Sequence, residues 1–211
     1  MKKIIILCLA AAAITAHANE YIRHKLVSNG QAESFRMIAE IPQDFNLKPL
    51  ENSNVRFIAD KDAIRFIVTM IDNDLISEAT KDQARHYQQG DALQIFIKPA
   101  NDCTLWEFSI ASNGKKGVFI HSGAGAMFYD FTKCGPEFSV KHSFSKGLWT
   151  AEITIPYSVF KEKGFDFTKN AWHFSVVRHN VSRNLPNREI SSYPQGVKNA
   201  SDPRFFGELV F

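Results

Sequence analysis

Trp149-Thr150-Ala151-Glu152-Ile153-Thr154-Ile155-Pro156 alternates large apolar with polar side chains without a break. A period of two puts Trp149, Ala151, Ile153 and Ile155 on one face of an extended segment. Thr150, Glu152 and Thr154 fall on the other, the signature of a strand half-buried against a core. Upstream, Ser145-Lys146-Gly147 is a turn, and Phe138, Val140, His142 and Phe144 alternate with Ser139, Lys141 and Ser143 before it. The two runs read as neighbouring strands joined by a short connection.

The same period recurs along the chain. Val55, Phe57 and Ala59 alternate with Arg56 and Asp60, and Leu93, Ile95 and Ile97 alternate with Gln94, Phe96 and Lys98. Trp106, Phe108 and Ile110 alternate with Glu107 and Ser109, while Trp172, Phe174 and Val176 form another stripe and Phe206 to Phe211 closes the chain. The run from Ile64 to Ile71 is apolar on both faces and reads as a central strand. Asn113-Gly114 is a strong hairpin signal. Pro156 can open a helical turn through Phe160, ended near Gly164, and residues 77–89 can form a short helix stopped by Gly90. These runs predict an all-β fold: a β-sandwich, jelly-roll or immunoglobulin-like, of about eight to nine or more antiparallel strands with one or two short helices. The three tryptophans lie in apolar stripes and are expected in the core.

Lys2 and Lys3, the apolar run Ile4 to Ile14 and the small-x-small Ala16-His17-Ala18 have the order of a secretory signal peptide. Residues 1–18 are therefore expected to be cleaved. Residues 19–211 are then one exported domain, periplasmic or secreted, without a later segment apolar enough to enter a membrane. Of the 25 basic residues two belong to the signal, so the rest nearly balance the 22 acidic ones. Such a balance offers no electrostatic case for nucleic acid. In an exported chain the pair Cys103 and Cys134 is most simply a disulfide.

Four blocks in order resemble the family 9 carbohydrate-binding modules. Asp60-Lys61-Asp62-Ala63-Ile64 followed by a strand and Asp72 is the first, and Gly90-Asp91-Ala92-Leu93-Gln94-Ile95-Phe96-Ile97 the second. The Trp149 to Pro156 block is the third, and Asp202-Pro203-Arg204-Phe205-Phe206-Gly207-Glu208-Leu209 the fourth. The resemblance implies a non-catalytic domain that binds carbohydrate, working beside a separately encoded glycan-processing enzyme. In sugar-binding members two tryptophans sandwich a terminal sugar; the corresponding positions are Gln88 and Ala200. The Glu and Arg that hold sugar hydroxyls correspond to Gln94 and Glu107. A ring that stacks on the apolar C–H face of a sugar offsets the desolvation of its hydroxyls. With both platforms replaced, the alternative is the same fold serving another ligand: a small molecule, haem or a protein partner.

The candidate site residues follow. Tyr87 and Tyr193 can rebuild a clamp beside the two lost platforms. Gln88, Gln94 and Glu107 supply polar groups. Arg178, in register with Trp172, Phe174 and Val176, must find a partner: a ligand or a structural ion pair. Asp60, Asp62, Asp72 and Asp74 are weak calcium candidates, since calcium takes six to eight oxygens and their spacing is not that of an EF-hand. His24, His86, His121, His142, His173 and His179 are scattered without metal-ligand spacing. No nucleophile elbow, phosphate loop or metalloprotease helix is present, so no enzyme is expected.

Overall fold

The computed structural model describes residues 23–26, 33–39, 51–121, 138–183, 188–194, 202–203 and 206–211. The predicted signal peptide, Cys134 and Ala200 lie outside the described residues.

The alternating segments fold into two sheets. The smaller has the order β2 (Glu33–Arg36), β4 (Ser53–Ala59), β5 (Ala63–Ile71), β10 (Leu148–Pro156) and β9 (Ser139–Ser145). The larger runs β1 (Arg23–Lys25), β13 (Gly207–Val210), β11 (Trp172–Asn180), β6 (Ala92–Pro99), β7 (Leu105–Ala111) and β8 (Lys116–His121). In it β12 (Glu189–Tyr193) also pairs with β11, and β3 (Ile38–Ala39) pairs with β12. All pairings are antiparallel except that of β1 with β13. This is the expected all-β sandwich.

The core fills the space between the inner faces. Trp149, Ala151 and Ile153 of β10 and Phe66 and Val68 of β5 face Trp106 and Phe108 of β7 and Trp172, Phe174 and Val176 of β11. All three tryptophans are fully buried, as their stripes predicted. The helical turn after Pro156 is α1 (Ser158–Lys161), which delivers Phe160 against Trp106 and Trp172.

The expected helix over 77–89 is only a 3-10 turn, His86–Gln88. Its segment spends its polar groups on neighbouring strands instead. The Gln83 amide brackets Val118, accepting from its N–H at 2.8 Å and donating to its carbonyl at 3.3 Å. Gln83 N–H donates to the Lys116 carbonyl and Asp82 Oδ1 accepts from Lys116 N–H, so residues 82–83 seal the open edge of β8. The segment ends at Gly90, where φ is +122° and a Cβ would lie only 2.4 Å from the Ile76 carbonyl oxygen. Asp91 then fastens it, accepting from Ile76 N–H (2.6 Å) and Val181 N–H (2.7 Å). Burial pushes the Asp91 carboxyl up to about 6 despite those two donors.

Candidate functional site

On the larger sheet the side chains that face away from the core are sorted into oblique stripes. Antiparallel register sets His179 of β11 level with Ala92 of β6, and Gln94, two residues on, level with Ser109 of β7. Glu107 is level with Phe96, and His121 of β8 is level with Leu105. Each step to the next strand thus advances two residues, a diagonal of about 7–8 Å that long side chains span. Along it runs one hydrogen-bonded chain. His179 Nε2 meets Gln94 Oε1 at 2.6 Å, Gln94 Nε2 donates to Glu107 Oε1 at 2.6 Å, and Glu107 Oε2 meets His121 Nε2 at 2.9 Å.

The chain fixes its own polarity. Because Gln94 offers Oε1 to the imidazole, His179 carries its proton on Nε2 and leaves Nδ1 as an acceptor. Burial, and then the charge of Arg188, pushes the His179 ring down to about 3, so it is neutral. Among the described residues its Nδ1 has no hydrogen-bond partner, nor has the Oγ of Ser109 on β7. The Tyr87 ring lies across His179, centroids 5.2 Å apart and tilted by 31°. Tyr87 is half-buried, and Gln88 beside it is exposed.

A parallel stripe, Ile190, Val177, Phe96 and Leu105, is apolar and is capped by Phe206. Phe206, from the closing block of the sequence, covers this part of the outer face. A small second core therefore flanks the polar chain and keeps water from one side of it.

Four of the candidates, Tyr87, Gln88, Gln94 and Glu107, come together on this face. The other two do not. Tyr193 sits on β12 opposite Val176 and points into the core, 8% exposed. Its ring stacks on Phe35 at 4.7 Å and its hydroxyl meets His24 Nε2 at 2.9 Å. A stacking platform needs an open face, and this ring has none. Arg178 also points inward and is fully buried. It donates to the Glu51 carbonyl (3.1 Å), Ser53 Oγ (3.0 Å) and Asp72 Oδ2 (3.1 Å), so of its two sequence readings the structural ion pair is the one realised.

The acidic residues proposed for calcium are likewise separated. Asp60 and Asp62 precede β5, and Asp72 and Asp74 follow it; a nine-residue strand spans about 30 Å. Asp60 is bound by Arg65 at 2.5 and 3.2 Å, Asp72 by Arg178, and Asp74 Oδ2 accepts from Arg183 N–H at 2.8 Å. Among the described residues no group of three or more His, Cys, Asp or Glu side chains is placed to hold a metal ion.

His179 and His121 were not among the candidates. Their signal was available, since both occupy outward positions of period-two strands, yet nothing local tells that two histidines 58 positions apart bracket one Gln–Glu pair. Cys103 stands exposed in the β6–β7 connection.

No protein-family model matches the chain, and no curated protein matches it significantly. Solved structures do. A protein of Bacteroides uniformis assigned as carbohydrate-binding superimposes with a TM-score of 0.73 at 13% identity, covering 90% of this chain and 98% of that one. A family 9 carbohydrate-binding module of Caldicellulosiruptor kristjanssonii in complex with cellotriose gives 0.58 at 16% identity, covering 90% and 92%. A family 9 module of the same organism with glucose gives 0.59 at 17%, covering 89% and 94%. The chain has the fold of the family 9 carbohydrate-binding modules.

Proposed function

We propose that the protein is an exported, non-catalytic carbohydrate-binding domain whose ligand engages the outer face of the larger sheet at Tyr87, Gln88, Gln94 and Glu107. The observation that carries this reading is the His179–Gln94–Glu107–His121 chain beneath the Tyr87 ring. A sugar offers hydroxyls that both donate and accept. The chain keeps capacity for both, with a second Gln94 N–H, the remaining lone pairs of the Glu107 carboxylate and the His179 Nδ1. Gln94, Glu107 and His179 are 5%, 7% and 6% exposed, so a hydroxyl reaches them only once the Tyr87 ring swings aside. Tyr87 adds one apolar ring for a C–H face, in place of the two stacking tryptophans whose positions here are Gln88 and Ala200. A single ring instead of a sandwich is expected to give weak binding, millimolar to high micromolar.

The reading extends to the cell. Residues 1–18 direct export, the ligand is a glycan outside the cytoplasm, and a separately encoded enzyme processes it. Among the described residues no helix is long and apolar enough to cross a membrane. The same face also suits a non-sugar ligand rich in donors, because Tyr193 and Arg178 are withdrawn from it.

A glycan array followed by calorimetry on residues 19–211 tests the reading. Tyr87→Ala should weaken glycan binding by roughly tenfold or more, a stacking ring being worth on the order of 1–3 kcal/mol by analogy with base stacking. Gln94→Ala should abolish measurable binding with the fold retained. Binding unaffected by both substitutions would remove the site from this face, and an array without hits would favour the non-sugar ligand.

A further inference from the structure

The two sheets treat their open edges differently. The edge of β8 is closed by Asp82 and Gln83, whereas β9 has β10 on one side and, among the described residues, nothing on the other. Six of its seven residues are exposed and Val140 is half-buried. The connection to β10 is the two-residue turn Lys146-Gly147, with φ of +53° and +73°, between the paired Ser145 and Leu148. In such a hairpin the flanking pair exchanges both hydrogen bonds, and bonded pairs recur every second residue. The N–H and C=O groups of Ser139, Lys141, Ser143 and Ser145 therefore face β10. Those of Val140, His142 and Phe144 point to the free edge.

The same three residues carry their side chains on the core side of the sheet, opposite Ile153, Ala151 and Trp149. Phe144 is 47% exposed, and just across the turn the directly paired Ile71 and Leu148 are 42% and 41% exposed. Phe144 is the one large exposed apolar side chain on the edge strand itself, since Leu148 on β10 and Ile71 on β5 point to the opposite face of the sheet.

We propose that β9 is a self-association edge, pairing antiparallel with β9 of a second copy about a two-fold axis at His142. The strand is self-complementary in that register. Val140 meets Phe144 of the second copy, an apolar pair, at both ends of the contact. His142 faces its own counterpart as the bonded pair on the axis, and Lys141 falls opposite Ser143, so no lysine meets a lysine. Every outward N–H and C=O of the strand then gains a partner, and the two five-stranded sheets become one of ten strands. An interface of this kind is isologous and closed, and forms dimers rather than fibres. A single strand pair buries less than the roughly 1,200–2,000 Å² of standard interfaces, so the dimer should be weak.

Sedimentation velocity on residues 19–211, from about 10 μM to 1 mM, reads the association, since a weak interface dissociates in this range. The expected result is a monomer–dimer equilibrium. Amide hydrogen exchange by NMR then reads the register: Val140, His142 and Phe144 should become slower with concentration, while Lys141 and Ser143 are slow throughout. His142→Pro removes the axial N–H at an edge position that tolerates proline, and should leave a monomer with an unchanged melting temperature. Should that variant unfold, Phe144→Lys, which alters no backbone group, should give the same monomer. A monomer at every concentration overturns the proposal and leaves the edge to another chain's strand. So does a dimer that survives both substitutions, or protection confined to other amides. None of these outcomes depends on whether the domain binds sugar.

Discussion

Arg178→Met separates a structural role from a binding role. The guanidinium is fully buried, and its nearest charges are Asp72, fully buried, and Glu51, 8% exposed. Met fills much of the same volume, so the loss is electrostatic: two desolvated carboxylates without their cation. Removing one partner of a buried pair costs about 3–5 kcal/mol. Taking about 4 kcal/mol against a whole-domain stability of about 5–15, the variant keeps its fold with a thin margin. For a domain of this size each kcal/mol moves the melting temperature by roughly 2–4 °C, which predicts a drop of about 8–16 °C at pH 7. The pH dependence gives a second signature. Burial already raises the Asp72 carboxyl, with Arg178 opposing that shift. Without Arg178 it rises further above the unfolded value of about 3.9, so the folded state takes up a proton first. The deficit is therefore largest at neutral pH and shrinks as pH falls toward about 4, and Asp72→Asn in the same background should restore part of it at pH 7. Urea unfolding across this range measures it. A loss below about 1 kcal/mol, or a deficit independent of pH, refutes the buried-pair account. Lost glycan binding with unchanged stability would restore Arg178 as a ligand contact.

Tyr193→Ala should destabilise the domain by about 3–5 kcal/mol in thermal unfolding, through the cavity left beside Phe35 and Phe174, and leave glycan affinity of the folded fraction unaltered. His179, pushed down to about 3 in the fold from about 6.5 when unfolded, contributes stability that is present above pH 6.5 and lost as pH falls toward 3. His179→Gln should flatten that slope, and the His179 ring should show no NMR titration between pH 5 and 8. Intact mass spectrometry of the exported protein without reductant should give a chain that begins at Asn19 and is lighter by two hydrogens, for a Cys103–Cys134 disulfide. Alkylation of both cysteines without denaturant would show the bond absent.

The sequence by itself determined which residues face inward. A period of two is a local property of extended backbone, so the stripes around Trp106, Trp149 and Trp172 named most of the core, and Asn113-Gly114 and the turn Ser145-Lys146-Gly147 named two hairpins. Gly90 was legible as the stop of the segment before β6, although the helix expected there is only a 3-10 turn. What lay beyond reach was which stripe meets which. Arg178 was visible as a charge on an apolar stripe, but its partners Asp72 and Glu51 lie 106 and 127 positions away. Only the packing of β11 against the loops flanking β4 and β5 decides that they meet. Tyr193 looked like a loop tyrosine because nothing local predicts that β12 adds to the edge of β11 and turns that ring inward. The proposed binding face has the same origin. Gln94 and Glu107 were each readable as outward polar residues of their strands, whereas the two-residue advance per strand that strings them between His179 and His121 is a matter of register, and register is set by pairing between segments distant in the chain.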